Sequence, residues 1–179
     1  MAQEVLSQIS RAFHYRDRNV FLRLYIQYVR PHLQFASPAW SPWLEADKVL
    51  LEKVQRRAVN MISGLKARTY AEKLRELGLT TLEERRHQTD MAQVYKIITG
   101  KDMVNSEVWF QKVDGAERLT RSAADPLNLR PKAARLEVSS NRTVEDWNKI
   151  PSEVKNARTV AIFKDGYAKH RVGLVGSTD

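Results

Sequence analysis

Apolar side chains recur every three or four positions through residues 1–100, which is the spacing of one face of an α-helix. Four such stripes are Val5, Leu6, Ile9 and Phe13; Phe21, Leu24, Tyr25 and Tyr28; Leu50, Val54, Ala58 and Met61; and Met91, Val94, Tyr95 and Ile98. Leu51 and Ile62 widen the third stripe. The pattern predicts a chain built mainly from amphipathic helices.

Capping residues mark several helix boundaries. The segments T-Y-A-E at 69–72 and T-L-E-E at 81–84 are capping boxes, in which side chains satisfy the first free N–H groups of a helix. Gly78 and Gly100 follow the helices that these boxes begin, as expected of left-handed C-terminal stops. Pro31 is expected to end or bend the helix that begins near residue 18.

The periodicity weakens after Gly100. We expect a helical domain over residues 1–100, an irregular connection over 101–142 with a short strand near Leu136–Val138, a C-terminal helical segment over 143–172, and a frayed tail over 173–179. The predicted fold class is therefore all-α, with about six or seven helices and a less regular C-terminal third.

The segment Y-V-R-P-H-L-Q-F-A-S-P-A-W-S-P-W at residues 28–43 contains three prolines and two tryptophans. Each proline favours an extended conformation at the residue before it, and large apolar rings are usually buried. We therefore interpret the segment as a rigid corner. The residues with an expected structural role there are Pro31, His32, Pro38, Trp40 and Trp43.

The net positive charge of the chain suggests that this helical protein binds a polyanion. The chain has 30 Lys and Arg against 21 Asp and Glu, for a net charge of +9. Arginine pairs well with phosphate, and interleaved aromatic rings can stack on bases. The candidate contacts are Arg11, Arg16, Arg18, Arg23, Arg30, Lys53, Arg56, Arg57, Arg85 and Arg86. For Arg56 and Arg57 a surface ion pair with Glu52, one helical turn away, is a strong alternative.

Residues for catalysis or metal binding are not evident. The chain has no cysteine, and its four histidines show no metal-ligand spacing. The adjacent acids Glu83–Glu84 and Glu145–Asp146 are expected in first helical turns, where acids are favoured for structural reasons. We therefore predict no catalytic residue, no metal and no cofactor. Without a long apolar run or a signal sequence, we expect a soluble intracellular protein of the nucleus or cytoplasm, with no membrane contact.

Four motifs occur in an order that resembles the C-terminal part of jockey-like non-LTR retrotransposon reverse transcriptases. The first is Y-V-R-P-H-L-x-[FY]-A-x-P-x-W, matched from Tyr28 to Trp40. V-Q-R-R-A follows at 54–58, and L-x-x-L-x-L-x-[ST]-L-E-x-R-R is matched with small variation at 74–86. W-N-x-[LI]-P is matched at 147–151, where Trp147 is expected to have a structural role. The resemblance spans roughly residues 7–165.

This resemblance implies the thumb and post-thumb region of an RNA-directed DNA polymerase, which holds primer and template. The family's catalytic carboxylates lie upstream in a Y-A-D-D motif that this sequence lacks. The segment S-S-N-R-T-V-E-D-W-N also lacks the phenylalanine pair that usually precedes W-N-x-[LI]-P. The resemblance therefore implies nucleic-acid binding without polymerase chemistry.

Two functions of different class remain open from the sequence. The first is non-catalytic binding of RNA, DNA or an RNA–DNA hybrid through the arginine-rich helices. The alternative is a helical protein-interaction or structural module derived from a retroelement, with or without a selected function. Its partners would be the missing polymerase domains or a host protein. An enzyme in its own right has no supporting constellation of residues.

Overall fold

A computed structural model describes residues 1–13, 17–35, 44–112, 127–131 and 139–175. These residues are mainly helical, which confirms the predicted fold class. The chain divides into two compact units, Met1–His87 and Gln88–Asp179. The boundary between the units lies inside a helix. The sequence instead predicts that the first domain ends at Gly100. The difference arises because Leu82, at the start of that helix, belongs to one apolar core, whereas Met91 and the residues after it belong to another.

In the described ranges of the first unit, 1–13, 17–35 and 44–87, the regular elements are all helical. They are α1 (Ala2–Ala12), α2 (Arg18–Leu24), a π-helical turn (Tyr25–Val29), α3 (Arg30–Gln34), α4 (Glu45–Asn60), α5 (Tyr70–Leu77) and the beginning of α6 (Leu82–Ile98). Both side chains of the predicted capping box Thr69–Glu72 make their bonds at the start of α5. Gly78 ends that helix at φ +63°, a left-handed conformation that glycine adopts without a steric penalty.

The sequence predicts that Pro31 ends or bends its helix, and the first of these two outcomes is wrong. α2, the π-helical turn and α3 follow one another without a break from Arg18 to Gln34. The N–H of Arg30 donates to the carbonyl of Tyr25, five residues back, so the turn before Pro31 is wider than an α-helical turn. Pro31 lies in the first turn of α3, and because it has no N–H it donates no hydrogen bond to the turn before it.

The wide turn also changes which residues of this run are buried. Phe21, Tyr25, Val29 and Leu33 face the core at four-residue spacing. In a regular α-helix, residues four positions apart point about 40° away from each other, so a row at this spacing would turn gradually away from the core. The extra residue in the π-helical turn rotates the row back toward the core. Tyr28, which the sequence places in the apolar stripe, is instead 56% exposed.

The inward face of α4 also differs from the predicted one. Val54, Gln55 and Ala58 are buried, whereas Leu50 is 56% exposed. The face is centred near Leu51 and Gln55, and successive helical residues point about 100° apart, so Leu50 points away from the core. The polar residue Gln55 is therefore part of the buried face of α4, for which hydrophobicity predicted only apolar residues.

The second unit combines helices with a small sheet. After the rest of α6 come α7 (Ser106–Trp109), β1 (Phe110–Lys112), β2 (Leu129–Pro131), α8 (Ser139–Asn148), α9 (Ser152–Lys155) and α10 (Val160–Val175). β1 and β2 pair antiparallel, with Gln111 opposite Arg130. The sequence did not predict these strands, and the one expected at Leu136–Val138 lies outside the described residues.

Two further expectations for this unit are corrected. The pair Glu145–Asp146 lies in the last turn of α8 rather than its first, because the helix begins at Ser139. α10 extends to Val175, so residues 173–175 are helical rather than part of the expected frayed tail.

The core of the second unit explains the W-N-x-[LI]-P motif. Trp147 is fully buried, its indole N–H donates to the Leu127 carbonyl at 2.8 Å, and its ring stacks on Phe163 at 5.8 Å. The Asn148 side chain bonds both the N–H and the carbonyl of Leu129, at 2.9 and 3.0 Å, as a neighbouring strand would. Trp147 therefore has the structural role that the sequence predicts.

Within the part of the chain that the structure describes, no helix combines the length and the apolar character that crossing a membrane requires.

Candidate nucleic-acid interface

Three of the candidate cations lie on neighbouring helices of the first unit. Arg11 near the end of α1 and Arg57 in the last turn of α4 line one open depression, with Gln3, Glu4, Ser7 and Gln8. Both arginines are exposed. Lys53 is also exposed and precedes Arg57 by one helical turn, so its side chain is on the same side of α4. We call Arg11, Lys53 and Arg57 the α1–α4 basic surface.

The α1–α4 basic surface is available to an anion. The Nε of Arg11 donates a hydrogen bond to the Ser7 carbonyl at 3.4 Å, and the two terminal nitrogens make no hydrogen bond among the described residues. Of the described residues that line the depression, Glu4 is the one with a carboxylate. The surface can therefore offer guanidinium and ammonium donors to phosphate oxygens.

Arg18, by contrast, pairs with a carboxylate of the protein, although its side chain is 43% exposed. Its guanidinium contacts the Glu76 carboxylate at 3.2 Å and also donates to the Glu76 carbonyl. The other carboxylate oxygen of Glu76 pairs with Arg68 at 2.9 Å. The acid that pairs with Arg18 is Glu76, 58 residues away in the sequence. Arg18 is therefore a poor phosphate contact.

Arg56 also has an internal partner, although not the predicted one. Its guanidinium lies over the ring of Tyr70, 4.4 Å from the centroid, in a cation–π contact. Glu52 is turned inward instead, where it accepts hydrogen bonds from the Tyr70 hydroxyl and from the N–H of Leu82, the latter at 3.0 Å. The expected Glu52–Arg56 ion pair is therefore wrong, because Glu52 caps the start of α6.

Gln55 is the centre of a polar network that joins four elements of the first unit. It is fully buried and accepts from the Tyr25 hydroxyl at 2.7 Å. Its amide nitrogen is 3.0 Å from both the Tyr70 hydroxyl and the Thr80 carbonyl, and 3.3 Å from Glu52. This network gives the glutamine of V-Q-R-R-A a structural role that the sequence analysis missed, since its partners are far apart along the chain.

Burial and charge shift the acidity of this network. Burial, followed by the Glu52 carboxylate, raises the pKa of the Tyr25 phenol well above its ordinary value, with Arg30 and Arg85 opposing. Burial and the bond to Glu52 likewise raise the pKa of Tyr70. Both hydroxyls are therefore protonated hydrogen-bond donors at neutral pH.

Arg30, Arg85 and Arg86 are less exposed than the sequence suggests. Burial and then the nearby Arg85 lower the pKa of Arg30, which is half-buried. Arg85 is half-buried as well, and Arg86 is only 3% exposed. The expectation that Arg86 contacts nucleic acid is therefore corrected: its position in α6 turns the side chain inward.

The remaining candidates separate into exposed residues and residues that the structure does not cover. Arg23 is exposed on α2. His32 is exposed on α3 and, among the described residues, makes no hydrogen bond, so its expected structural role is not supported by a contact. Pro31 is exposed too, but fits the first turn of α3 as described above. The other predicted residues, Arg16, Pro38, Trp40 and Trp43, lie outside the described residues.

No protein-family model, curated protein or solved structure matches this chain. The chain's own residues and their geometry are therefore the basis for a functional assignment. Among the residues that the structure describes, no group of His, Cys, Asp or Glu is arranged to hold a metal ion.

Proposed function

We propose that this chain is a non-catalytic nucleic-acid-binding module that corresponds to the thumb and post-thumb region of a jockey-like retrotransposon reverse transcriptase. The observation that carries the proposal is the α1–α4 basic surface. Two helices far apart in sequence bring Arg11 and Arg57 to one depression, and Lys53 adds a third exposed cation beside them.

The V-Q-R-R-A motif supports this proposal because its members divide between scaffold and surface. Val54 and Ala58 are buried, and Gln55 is the centre of the polar network. Arg56 covers Tyr70, and Arg57 is the member of the motif that lines the depression. A motif whose other positions fix the helix is a suitable frame for presenting one arginine to phosphate.

The proposed contacts are electrostatic and independent of base sequence. Three cations on phosphates give a slope of log affinity against log salt of about −2.7 on duplex DNA. Raising salt fourfold should then weaken binding by roughly 40-fold. Arginine on phosphate positions a nucleic acid without reading its sequence, as is appropriate for holding primer and template of any composition.

The test is a binding titration of the purified chain against RNA, duplex DNA and an RNA–DNA hybrid at several salt concentrations. We expect binding at low salt to at least one of them, with the steep salt dependence given above. A failure to bind all three at low salt would contradict the proposal. A protein partner bound with little salt dependence would instead favour the alternative, a retroelement-derived interaction module.

We further propose that the polymerase chemistry is supplied by domains outside this chain. The family's Y-A-D-D carboxylates have no counterpart in the sequence, and the adjacent acids Glu83–Glu84 lie in the first turn of α6. A primer-extension assay with the isolated chain should show no nucleotide incorporation, whereas incorporation above background would overturn this part of the proposal.

A further inference from the structure

The C-terminal half of the helical run Arg18–Gln34 exposes several rings. Tyr28 is 56% exposed, and Pro31 and His32 are exposed as well. They stand at positions i, i+3 and i+4, which place them side by side on a helix. Phe35, 81% exposed, continues the same spacing at i+7.

Packing in the core of the first unit does not explain why Tyr28 and His32 occupy these positions. The buried side of the same run is already filled by Tyr25, Val29 and Leu33, each at most 2% exposed. Among the described residues, Tyr28 and His32 make no hydrogen bond or ring contact. Single exposed apolar residues are common, but two exposed rings one helical turn apart each offer a face that a planar group can cover.

The charge around this face favours an anionic partner. Residues 18–35 contain no Asp or Glu and three arginines, of which Arg18 is paired with Glu76 and Arg30 is half-buried. Arg23 is exposed on the preceding turns of the same run. A polyanion that also carries flat apolar groups would find both rings and cations here, and a single-stranded nucleic acid has that chemistry.

We propose that Tyr28 and His32 are a stacking platform for the bases of a single-stranded nucleic acid. This inference rests on the proposed function and adds to it the strand type and the residues that select it. The two residues are four positions apart, so their backbone attachments are separated by about 6 Å along the helix axis. Unpaired bases can turn onto such rings, whereas bases inside a duplex have their faces covered by one another.

The experiment compares three labelled probes by fluorescence anisotropy: a 20-nucleotide oligothymidylate, the same backbone with abasic sites throughout, and a 20-base-pair duplex. Tyr28→Ala should weaken binding to the oligothymidylate by roughly 5- to 100-fold, the range for loss of one stacked base. It should leave binding to the abasic strand and the duplex unchanged, because both lack an accessible base.

Variants that keep or remove the aromatic ring distinguish base stacking from general apolar contact. Tyr28→Phe keeps the ring and should retain wild-type affinity, whereas Tyr28→Leu should lose as much as Tyr28→Ala. His32→Phe should retain binding, and His32→Ala should weaken it selectively for the oligothymidylate. Ile162→Ala is the matched control, since Ile162 is also 56% exposed but lies in the second unit, and it should have no effect.

The outcomes also distinguish this inference from the proposed function. If Tyr28→Ala weakens all three probes equally, or none of them, the platform is overturned while the α1–α4 basic surface stands. If the wild-type chain binds none of these probes at low salt, the platform is overturned, and the titrations against RNA and the RNA–DNA hybrid decide the proposed function. Binding of a protein through this face, with nucleic-acid affinity unaffected by Tyr28→Ala, would likewise overturn the platform.

Discussion

The hydrogen-bond network around Gln55 should make an outsized contribution to the stability of the first unit. Gln55→Met preserves the length of the side chain but removes both its carbonyl and its amide donors. The Tyr25 hydroxyl, in a residue that is 2% exposed, then loses its acceptor, and the Thr80 carbonyl loses its donor. A buried polar group left without a partner costs about 1–3 kcal/mol, so we expect a loss of about 2–4 kcal/mol.

A double-mutant cycle with Tyr25→Phe tests whether the two residues act as one unit. Tyr25→Phe alone should cost about 1–2 kcal/mol, because it leaves the Gln55 carbonyl oxygen unsatisfied. In the double variant neither group is left alone, so its loss should fall short of the sum by about 1 kcal/mol or more. Tyr28→Phe, the same change at an exposed tyrosine, is the matched control and should stay within about 0.5 kcal/mol of wild type.

Urea unfolding followed by circular dichroism gives these free energies at pH 7. The reasoning would be refuted if Gln55→Met were as stable as wild type, or if the two losses added within about 0.5 kcal/mol. Additive losses would mean that the Tyr25 hydroxyl has another acceptor and that Gln55 is not the centre of the network.

Three further predictions concern stability. Trp147→Ala should cost about 3–5 kcal/mol in urea unfolding, because it empties a fully buried site, and Trp147→Phe should cost clearly less. Gly166→Ala should destabilise, since the new carbon would lie 3.2 Å from Val154, but in a Val154→Ala background it should stabilise by up to about 1 kcal/mol through helix propensity. Wild type should lose stability as pH rises above about 10, where the phenol of Tyr25 ionises only in the unfolded chain. The Tyr25→Phe variant should lose less stability over the same pH range. Equal losses of stability in the two proteins would contradict the burial of the Tyr25 phenol.

Local signals in the sequence predicted much of the fold. The capping box at Thr69, the glycine stops at Gly78 and Gly100, and the buried Trp147 were all recognised, because each depends on residues close together in the chain or on one large side chain. The wide turn before Pro31 was missed. Nothing in the residue types there distinguishes a π-helical turn from an α-helical turn, since the choice depends on how the buried row meets the core.

The candidate interface was predicted only in part for the same reason. Arg11 and Arg57 could be named from charge, but their meeting at one depression requires the packing of α1 on α4. Arg18 was named too, and its neutralisation by Glu76 depends on a contact across 58 positions. Charge along the sequence therefore identified the candidates, while tertiary contacts decided which of them remain available.

The salt dependence of binding by two variants with equal net charge tests the α1–α4 basic surface most directly. Arg11→Gln/Arg57→Gln removes two exposed cations from this surface, and Arg18→Gln/Arg68→Gln removes two that are paired with Glu76. On duplex DNA the first variant should bind more weakly, with a slope of log affinity against log salt about 1.8 less negative than wild type. The second should keep the wild-type slope. Equal changes in both variants would show that net charge, rather than this surface, governs binding, and would contradict the account.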